Sequence, residues 1–256
     1  MNEKLYIPVQ SLQSTGLVKA GISQRLGGVS PTPYSSLNLA THVGDKQENV
    51  YKNQQRLFEQ TGISKLKYCN QIHSDTVINI DEISDAYWNG NYGEDSQPTG
   101  DALISKINNV ALGVFTADCV PISILDVETP SIAIVHAGWR GTMDQIVLKS
   151  LEKLKNEYGT NYESCLIHLG PSIQKCCYEV GSELISQFTL KFGKSVAYEN
   201  HLCLHTANVN QLIDYGIADN SISISSFCTS CNLNLFFSYR AEGGKTGRML
   251  SYLQLL

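Results

Sequence analysis

The chain has 256 residues, 42% hydrophobic and 17% charged, which is ordinary for a folded globular protein and excludes a disordered one. Nineteen Lys and Arg stand against 24 Asp and Glu, a net charge of −5, so no cation excess is present to track phosphates and no nucleic-acid partner is expected. No apolar run approaches the ~20 residues of a membrane helix, and no basic-then-apolar leader opens the sequence, so no membrane association is expected and the predicted location is cytoplasmic.

In chain order, residues 17–23 form a short apolar run of strand type. Residues 48–60 read as a helix: Val50, Leu57 and Phe58 share a face, and Gly62 can close it. Residues 66–70 and 76–80 read as strands. Residues 85–100 are rich in Gly, Asn and Asp and read as an exposed loop. Three β-rich runs follow, at 110–115, 121–125 and 131–136. The last is nearly continuous in Ile, Ala and Val, as a strand buried on both faces would be. Gly141 and Thr142 open a long helix to about Tyr158, with Met143, Ile146, Val147, Leu151 and Leu154 as its apolar stripe. Residues 165–169 read as a buried strand, 179–192 and 206–215 as helices, and 221–227 and 248–253 as closing strands. No repeat or proline-rich linker interrupts the chain. The sum predicts an α/β (α+β) fold with mixed sheets, a single domain over residues 1–256.

Reactive residues concentrate at the ends of apolar β runs, where loops are free to carry function. The segments are Gln71-Ile72-His73-Ser74, residues 116–121 with Asp118 and Cys119, and His136-Ala137-Gly138-Trp139-Arg140-Gly141. His73, Cys119 and His136 lie too far apart in sequence for a zinc knuckle, so the fold would have to assemble them. Two imidazoles and a thiolate suit zinc or copper, and three protein ligands leave a fourth position open. The same trio could be a thiol nucleophile with histidine bases, or a buried cysteine with two hydrogen-bonded histidines. Gly138 and Gly141 bracket Arg140 before a helix, an arrangement suited to an anion. Residues 23–30 form a second Gly-rich turn carrying Arg25, without the spacing of a P-loop. Thiols in a cytosolic protein stay reduced, so most of the eight cysteines are expected to be small buried hydrophobes. Cys228-Thr229-Ser230-Cys231 is a CxxC without a second CxxC to complete a zinc site, and Cys176-Cys177 has no evident reading.

With these segments the sequence resembles the YfiH-type family, the laccase-domain or multicopper polyphenol oxidase proteins now regarded as purine nucleoside phosphorylases. The resemblance also rests on residues 33–39, His42-Val43-Gly44-Asp45, Gly100-Asp101-Ala102, residues 169–173, Tyr178-Glu179-Val180-Gly181, Cys228-Thr229, Phe236-Phe237-Ser238-Tyr239-Arg240 and Thr246-Gly247-Arg248-Met249. It spans nearly the whole chain. It implies a single-domain sandwich of mixed sheets flanked by helices, with zinc, or alternatively copper, on His73, Cys119 and His136, which double as the catalytic set. It implies purine nucleoside and phosphate as partners, with Arg25, Gln71, Asp118, Arg140, Arg240 and Arg248 as candidate substrate-binding residues. A monomer or homodimer is expected.

Adenosine deamination is a second activity the family implies. Zinc nucleobase deaminases use a glutamate beside the metal as proton shuttle; this chain has no His-x-Glu signature, so Asp118 or Asp101 would have to serve. Copper-dependent phenol oxidation is the older reading. It needs a trinuclear cluster with more histidines than six mostly isolated ones can supply. Thiol hydrolysis by Cys119, a zinc-stabilised binding protein, and a role in cell-wall precursor quality control are the remaining alternatives.

Overall fold

The computed structural model describes residues 4–84 and 97–256. In chain order its elements are β1 (Tyr6–Pro8), α1 (Gln10–Gln13), β2 (Val18–Ser23), α2 (Gln47–Thr61), β3 (Leu66–Lys67), β4 (Val77–Asn79), β5 (Ala102–Ser105), β6 (Ala111–Thr116), β7 (Val120–Asp126), β8 (Ser131–Ala137), α3 (Trp139–Met143), α4 (Ile146–Tyr158), β9 (Cys165–Leu169), α5 (Ser182–Phe192), β10 (Ala197–Tyr198), β11 (His201–Leu202), α6 (Leu204–Asp214), β12 (Ile222–Ile224) and β13 (Met249–Leu255). They build a five-stranded sheet in the order β1-β2-β13-β6-β3 and a six-stranded sheet in the order β12-β9-β7-β8-β5-β4, with β10 and β11 as a small pair. Both large sheets are mixed: β3–β6, β4–β5 and β9–β12 are parallel and the other pairings antiparallel.

Side-chain alternation along the strands sets the layers. In β13, Met249, Leu253 and Leu255 enter one core while Leu250 and Tyr252 enter another. In β8, Ile132 and Ile134 share the first of these cores, while Ala133, Val135 and Ala137 face the opposite way. The shared core therefore lies between the two sheets. The outer face of the six-stranded sheet is covered by α4, α5 and α6 through Val147, Leu151, Phe188 and Leu212. The outer face of the five-stranded sheet is covered by α2 through Leu57 and by Leu37 and Leu39. The central strands are buried on both faces, which is why their sequences are nearly continuously apolar.

The α/β class with mixed sheets and flanking helices is as expected, and β2, α2, β6, β7, β8, β9 and β13 fall close to their predicted positions. The long helix expected from residue 141 is two helices, because Gln145 takes a left-handed φ of 60° between α3 and α4. The helix expected from residue 179 begins at Ser182, because Glu179 and Val180 bond instead to the 200–201 backbone. The strand expected over 221–227 is three residues long. β5 gave no sequence signal: four residues are too few to establish a period. Of the loop expected at 85–100, residues 85–96 lie outside the described residues; Thr99 pairs with Asn70 in a parallel bridge. Among the described residues no helix is long and apolar enough to cross a membrane.

Two histidines are part of this framework. His168 on β9 places Nδ1 2.8 Å from the Ser223 hydroxyl, and His205 on α6 places Nε2 2.9 Å from the Gly170 carbonyl. Burial pushes both imidazoles down to about 4, with the charge of His205 adding to the effect on His168. In the unfolded chain they titrate near about 6.5, so the unfolded state takes up protons first as pH falls. Their contribution to stability is complete above that value and lost toward the folded value. The melting temperature followed by circular dichroism is therefore expected to fall progressively from pH 6.5 to 4. In His205→Gln the pH-dependent part of that fall is expected to be smaller than in the wild type.

Candidate functional site

The site is organised by Asp101, fully buried immediately before β5. Its carboxylate lies 2.8 Å from Nδ1 of His136 and accepts the backbone N–H groups of Ile72 (3.2 Å), His73 (3.0 Å) and Ser74 (2.6 Å). The Ser74 hydroxyl donates to it as well, at 2.7 Å. These bonds hold the β3–β4 loop in a tight turn in which His73 adopts φ 61°, a left-handed conformation uncommon for a residue with a side chain. Burial alone would raise the Asp101 carboxyl; the hydrogen bond and charge of His136, with the Ser74 bonds, outweigh it and hold it below the usual carboxylate range.

Cys119 sits where the chain leaves β6 in one sheet and enters β7 in the other. The preceding Asp118 has φ 93°, and this turn is tied on three sides. The Asp118 carboxylate accepts the Thr229 hydroxyl at 2.6 Å and the Arg240 backbone N–H at 2.7 Å, and its carbonyl accepts the Ile173 N–H at 2.9 Å. His136 reaches the same point from the end of β8, facing the inter-sheet side between Val135 and Ala137.

His73, Cys119 and His136 thus converge, with their donor atoms all within 4.8 Å of one another. Cys119 Sγ is 3.9 Å from His73 Nε2, and the two imidazole centroids are 4.9 Å apart. Glycine at 138 leaves the cluster room: a Cβ would lie 3.1 Å from both Cys119 Sγ and His73 Cδ2, so either would have to shift by a few tenths of an ångström. Burial would push the Cys119 thiol up, but the His136 charge and the hydrogen bonds from His136 and His73 bring it down to about 6. Burial would push His136 down, but the Cys119 thiolate and the Asp101 hydrogen bond bring it up to about 9. The donor set fits a metal ion. Asp101 engages Nδ1 of His136 and leaves Nε2 to the cluster, as in the carboxylate–histidine pairs that orient metal-ligating imidazoles. A thiolate and two imidazoles suit a borderline or soft cation.

The cluster forms one side of a cavity of about 550 Å³. Phe115, Trp139, Tyr178 and Tyr239 supply aromatic wall, and His42, Arg240 and Arg248 supply polar and cationic groups. Arg240 lies over the Tyr178 ring at 5.2 Å, with its Nη1 donating to the Glu179 carbonyl at 2.7 Å. Arg248 lies over the Tyr239 ring at 5.5 Å and donates to the carbonyls of Thr246 and Gly247. Burial lowers the Arg248 guanidinium from its ordinary value, opposed by the negative charge of Cys119. Burial, with the charges of Arg248 and His136, pushes His42 down to about 4. Burial, with the charge of Cys119, pushes the Tyr178 hydroxyl up to about 12.

Of the residues singled out in sequence, Gln71, Asp118, Arg240 and Arg248 join the trio around this cavity. The Gln71 amide pairs with the Phe115 backbone, accepting its N–H at 2.7 Å and donating to its carbonyl at 2.9 Å. Arg25 does not reach the cavity. It pairs with Glu242 at 2.6 Å, donates to the Ser35 and Leu233 carbonyls and lies over Phe237, so it braces the framework. Arg140 is exposed and stacks on Trp139 at 4.2 Å, outside the cavity lining. Phe115 gave no sequence signal for the site, because it reads as ordinary core, and Ile173 and Tyr178 were visible only within the family segments 169–173 and 178–181. His42 was visible only within the family segment 42–45. Cys69, Cys165, Cys203 and Cys228 are buried as expected, but Cys176 and Cys231 are exposed.

Residues 19–256 match the family model described as multi-copper polyphenol oxidoreductase laccase. The chain belongs to this family. It is 32% identical to a Bacteroides thetaiotaomicron protein named purine nucleoside phosphorylase, covering 99% of this chain and 97% of that one. It is 33% identical to Escherichia coli purine nucleoside phosphorylase YfiH, covering 99% of each. The crystal structure of the hypothetical protein YfiH from Bacillus licheniformis superposes with a TM-score of 0.90 at 28% identity, covering 100% of this chain and 98% of that one.

Replacing Asp101 by Asn keeps the size and removes the charge that orients both histidines. Metal affinity, measured by competition with a chromogenic chelator, is expected to fall roughly 10–100-fold in Asp101→Asn. Gly138→Ala is expected to lower it as well, by displacing Cys119 and His73.

Proposed function

We propose that the protein is a metal-dependent purine nucleoside phosphorylase, converting adenosine, inosine or methylthioadenosine with phosphate to the free base and the sugar 1-phosphate. The observation that carries this reading is the placement of Arg240 and Arg248 beside the His73/Cys119/His136 cluster in one aromatic-walled cavity. The names of the full-length relatives support it.

In phosphorolysis a phosphate oxygen bonds to the anomeric carbon as the bond from that carbon to the base nitrogen breaks. The base leaves with the electron pair and takes up a proton. A guanidinium carries five N–H donors, and the carbonyl partners of Arg240 and Arg248 occupy only Nη1 of each among the described residues. The remaining donors suit bidentate contact with phosphate, and their charge favours the dianion over water. Trp139, Tyr178 and Tyr239 offer rings against which a purine can stack. Tyr178 keeps its proton at neutral pH and can donate a hydrogen bond to the substrate. His42 is neutral there and suits recognition of a substrate hydroxyl or ring nitrogen rather than acid catalysis. His73, Cys119 and His136 would hold zinc, or alternatively copper, and such an ion when bound supplies Lewis-acid polarisation of an attached group.

Adenosine deamination stays a secondary reading because, among the described residues, the two carboxylates beside the cluster are already engaged. Asp101 is engaged by His136 and the 72–74 turn, and Asp118 by Thr229 and Arg240. Phenol oxidation through a trinuclear copper cluster finds little support in the histidines. Among the described residues the trio is the one group of metal-capable side chains that includes histidine.

The test is incubation of zinc-replete protein with adenosine, with and without phosphate, and chromatographic separation of products. Adenine and ribose 1-phosphate formed only with phosphate are expected. Inosine formed without phosphate would make deamination primary, and no product with the metal site filled would sink both enzymatic readings. In Arg248→Ala, the KM for phosphate is expected to rise by roughly tenfold or more, as loss of a charge-assisted contact predicts.

A further inference from the structure

We propose that Cys176, Cys177, Cys228 and Cys231 form a second metal centre, a structural tetrathiolate zinc site separate from the His73/Cys119/His136 cluster. The fold brings them together for a simple topological reason. β9 and β12 are parallel neighbours, so the loops that follow them leave the sheet side by side. Ser172 and Cys228 extend that pairing as a parallel bridge, and the Thr229 N–H donates to the Ser172 carbonyl at 3.0 Å. The CxxC of the second loop thereby meets the adjacent cysteines of the first, which supply the second pair of ligands that sequence spacing did not reveal.

All four sulfurs lie within 4.8 Å of one another. Cys231 Sγ is 3.3 Å from Cys177 Sγ and 3.6 Å from Cys176 Sγ. Zinc–sulfur bonds of about 2.3 Å place tetrahedral thiolates about 3.8 Å apart, so these separations suit one ion. An iron–sulfur cluster interposes several atoms between its thiolates and needs them farther apart. All four cysteines are free thiols, and Cys231 stands within 3.6 Å of two partners, where a single disulfide would use one. A second feature points to a bound cation. The backbone N–H of Gln174 donates to Cys228 Sγ, which is buried, at 3.4 Å. An amide donor aimed at a sulfur offsets the negative charge of a thiolate–metal complex. Binding releases the four thiol protons to solvent and changes no oxidation state.

Such an ion would fasten two segments of the cavity wall. One loop carries Ile173 and Tyr178, and the other carries Thr229, whose hydroxyl holds the Asp118 turn.

The test is peptide-resolved alkylation of reduced wild-type protein with iodoacetamide, with zinc and after chelation. Protection of Cys176, Cys177 and Cys231 by zinc, lost together on chelation, is expected; labelling that ignores zinc would overturn the proposal. This readout is independent of nucleoside turnover and of whether the His73 cluster binds metal. Elemental analysis supplies the second arm. Wild type is expected to carry one more zinc ion per chain than Cys176→Ser/Cys231→Ser, and its cobalt-substituted form a stronger thiolate-to-cobalt absorption. Equal metal content in the two proteins, iron with inorganic sulfide, or a Cys177–Cys231 disulfide in freshly purified protein would each refute the site.

Discussion

The Asp101 carboxylate is the constraint on which the site depends. It ties together the turn at Ile72–Ser74 and the end of β8, which β4 and β5 bring near one another through sheet pairing. One buried anion satisfies three backbone donors, a hydroxyl and an imidazole, so the cost of burying its charge is offset by several charge-assisted hydrogen bonds. His73 is held in a conformation it would not choose alone, and His136 is fixed in orientation by the same carboxylate. Asp101 is therefore a positioning residue, and its full engagement is what removes it from consideration as a proton shuttle.

The two-sheet architecture explains where the cluster sits. β6 and β7 are consecutive strands in different sheets, and the turn between them crosses from one layer of the sandwich to the other. Cys119 lies on that crossing. His136 comes from the six-stranded sheet, and Arg248 from the residue before β13 in the five-stranded one. Loops after β9 and β12 close the side of the cavity with Ile173, Tyr178 and Tyr239. A cavity between layers can thus combine apolar walls from one set of strands with cations from another, while the sheets keep their relative positions through a core buried from both sides.

The family description and the chemistry of the site point in different directions, and the side chains arbitrate. A name built on several coppers calls for many imidazoles near one another. The cavity offers a single His/Cys trio, with His42 farther round the wall, while His168 and His205 are bound into the β9–α6 framework. Arginines over tyrosine rings beside such a trio are instead the features expected where an anion and a flat heterocycle are held together.

The sequence by itself determined the class of fold, the main strands and α2, and it marked His73, Cys119 and His136 as candidates that the family resemblance implied form one cluster. The strands were legible because burial on both faces demands near-continuous Ile, Val, Leu and Ala, and the three candidates because polar residues at strand ends contrast with those runs. The family pattern added Gln71, Asp118, Arg240 and Arg248. Tertiary structure alone decided which cations face the cavity. Arg25 and Arg140 sit in Gly-rich turns much as a phosphate ligand would, yet one is consumed by Glu242 and backbone carbonyls and the other lies on Trp139 outside the lining. It also decided the role of Asp101, the break at Gln145, and the meeting of Cys176 and Cys177 with Cys228 and Cys231. Each depends on contacts between segments far apart in the chain, and local periodicity and spacing carry no record of such contacts.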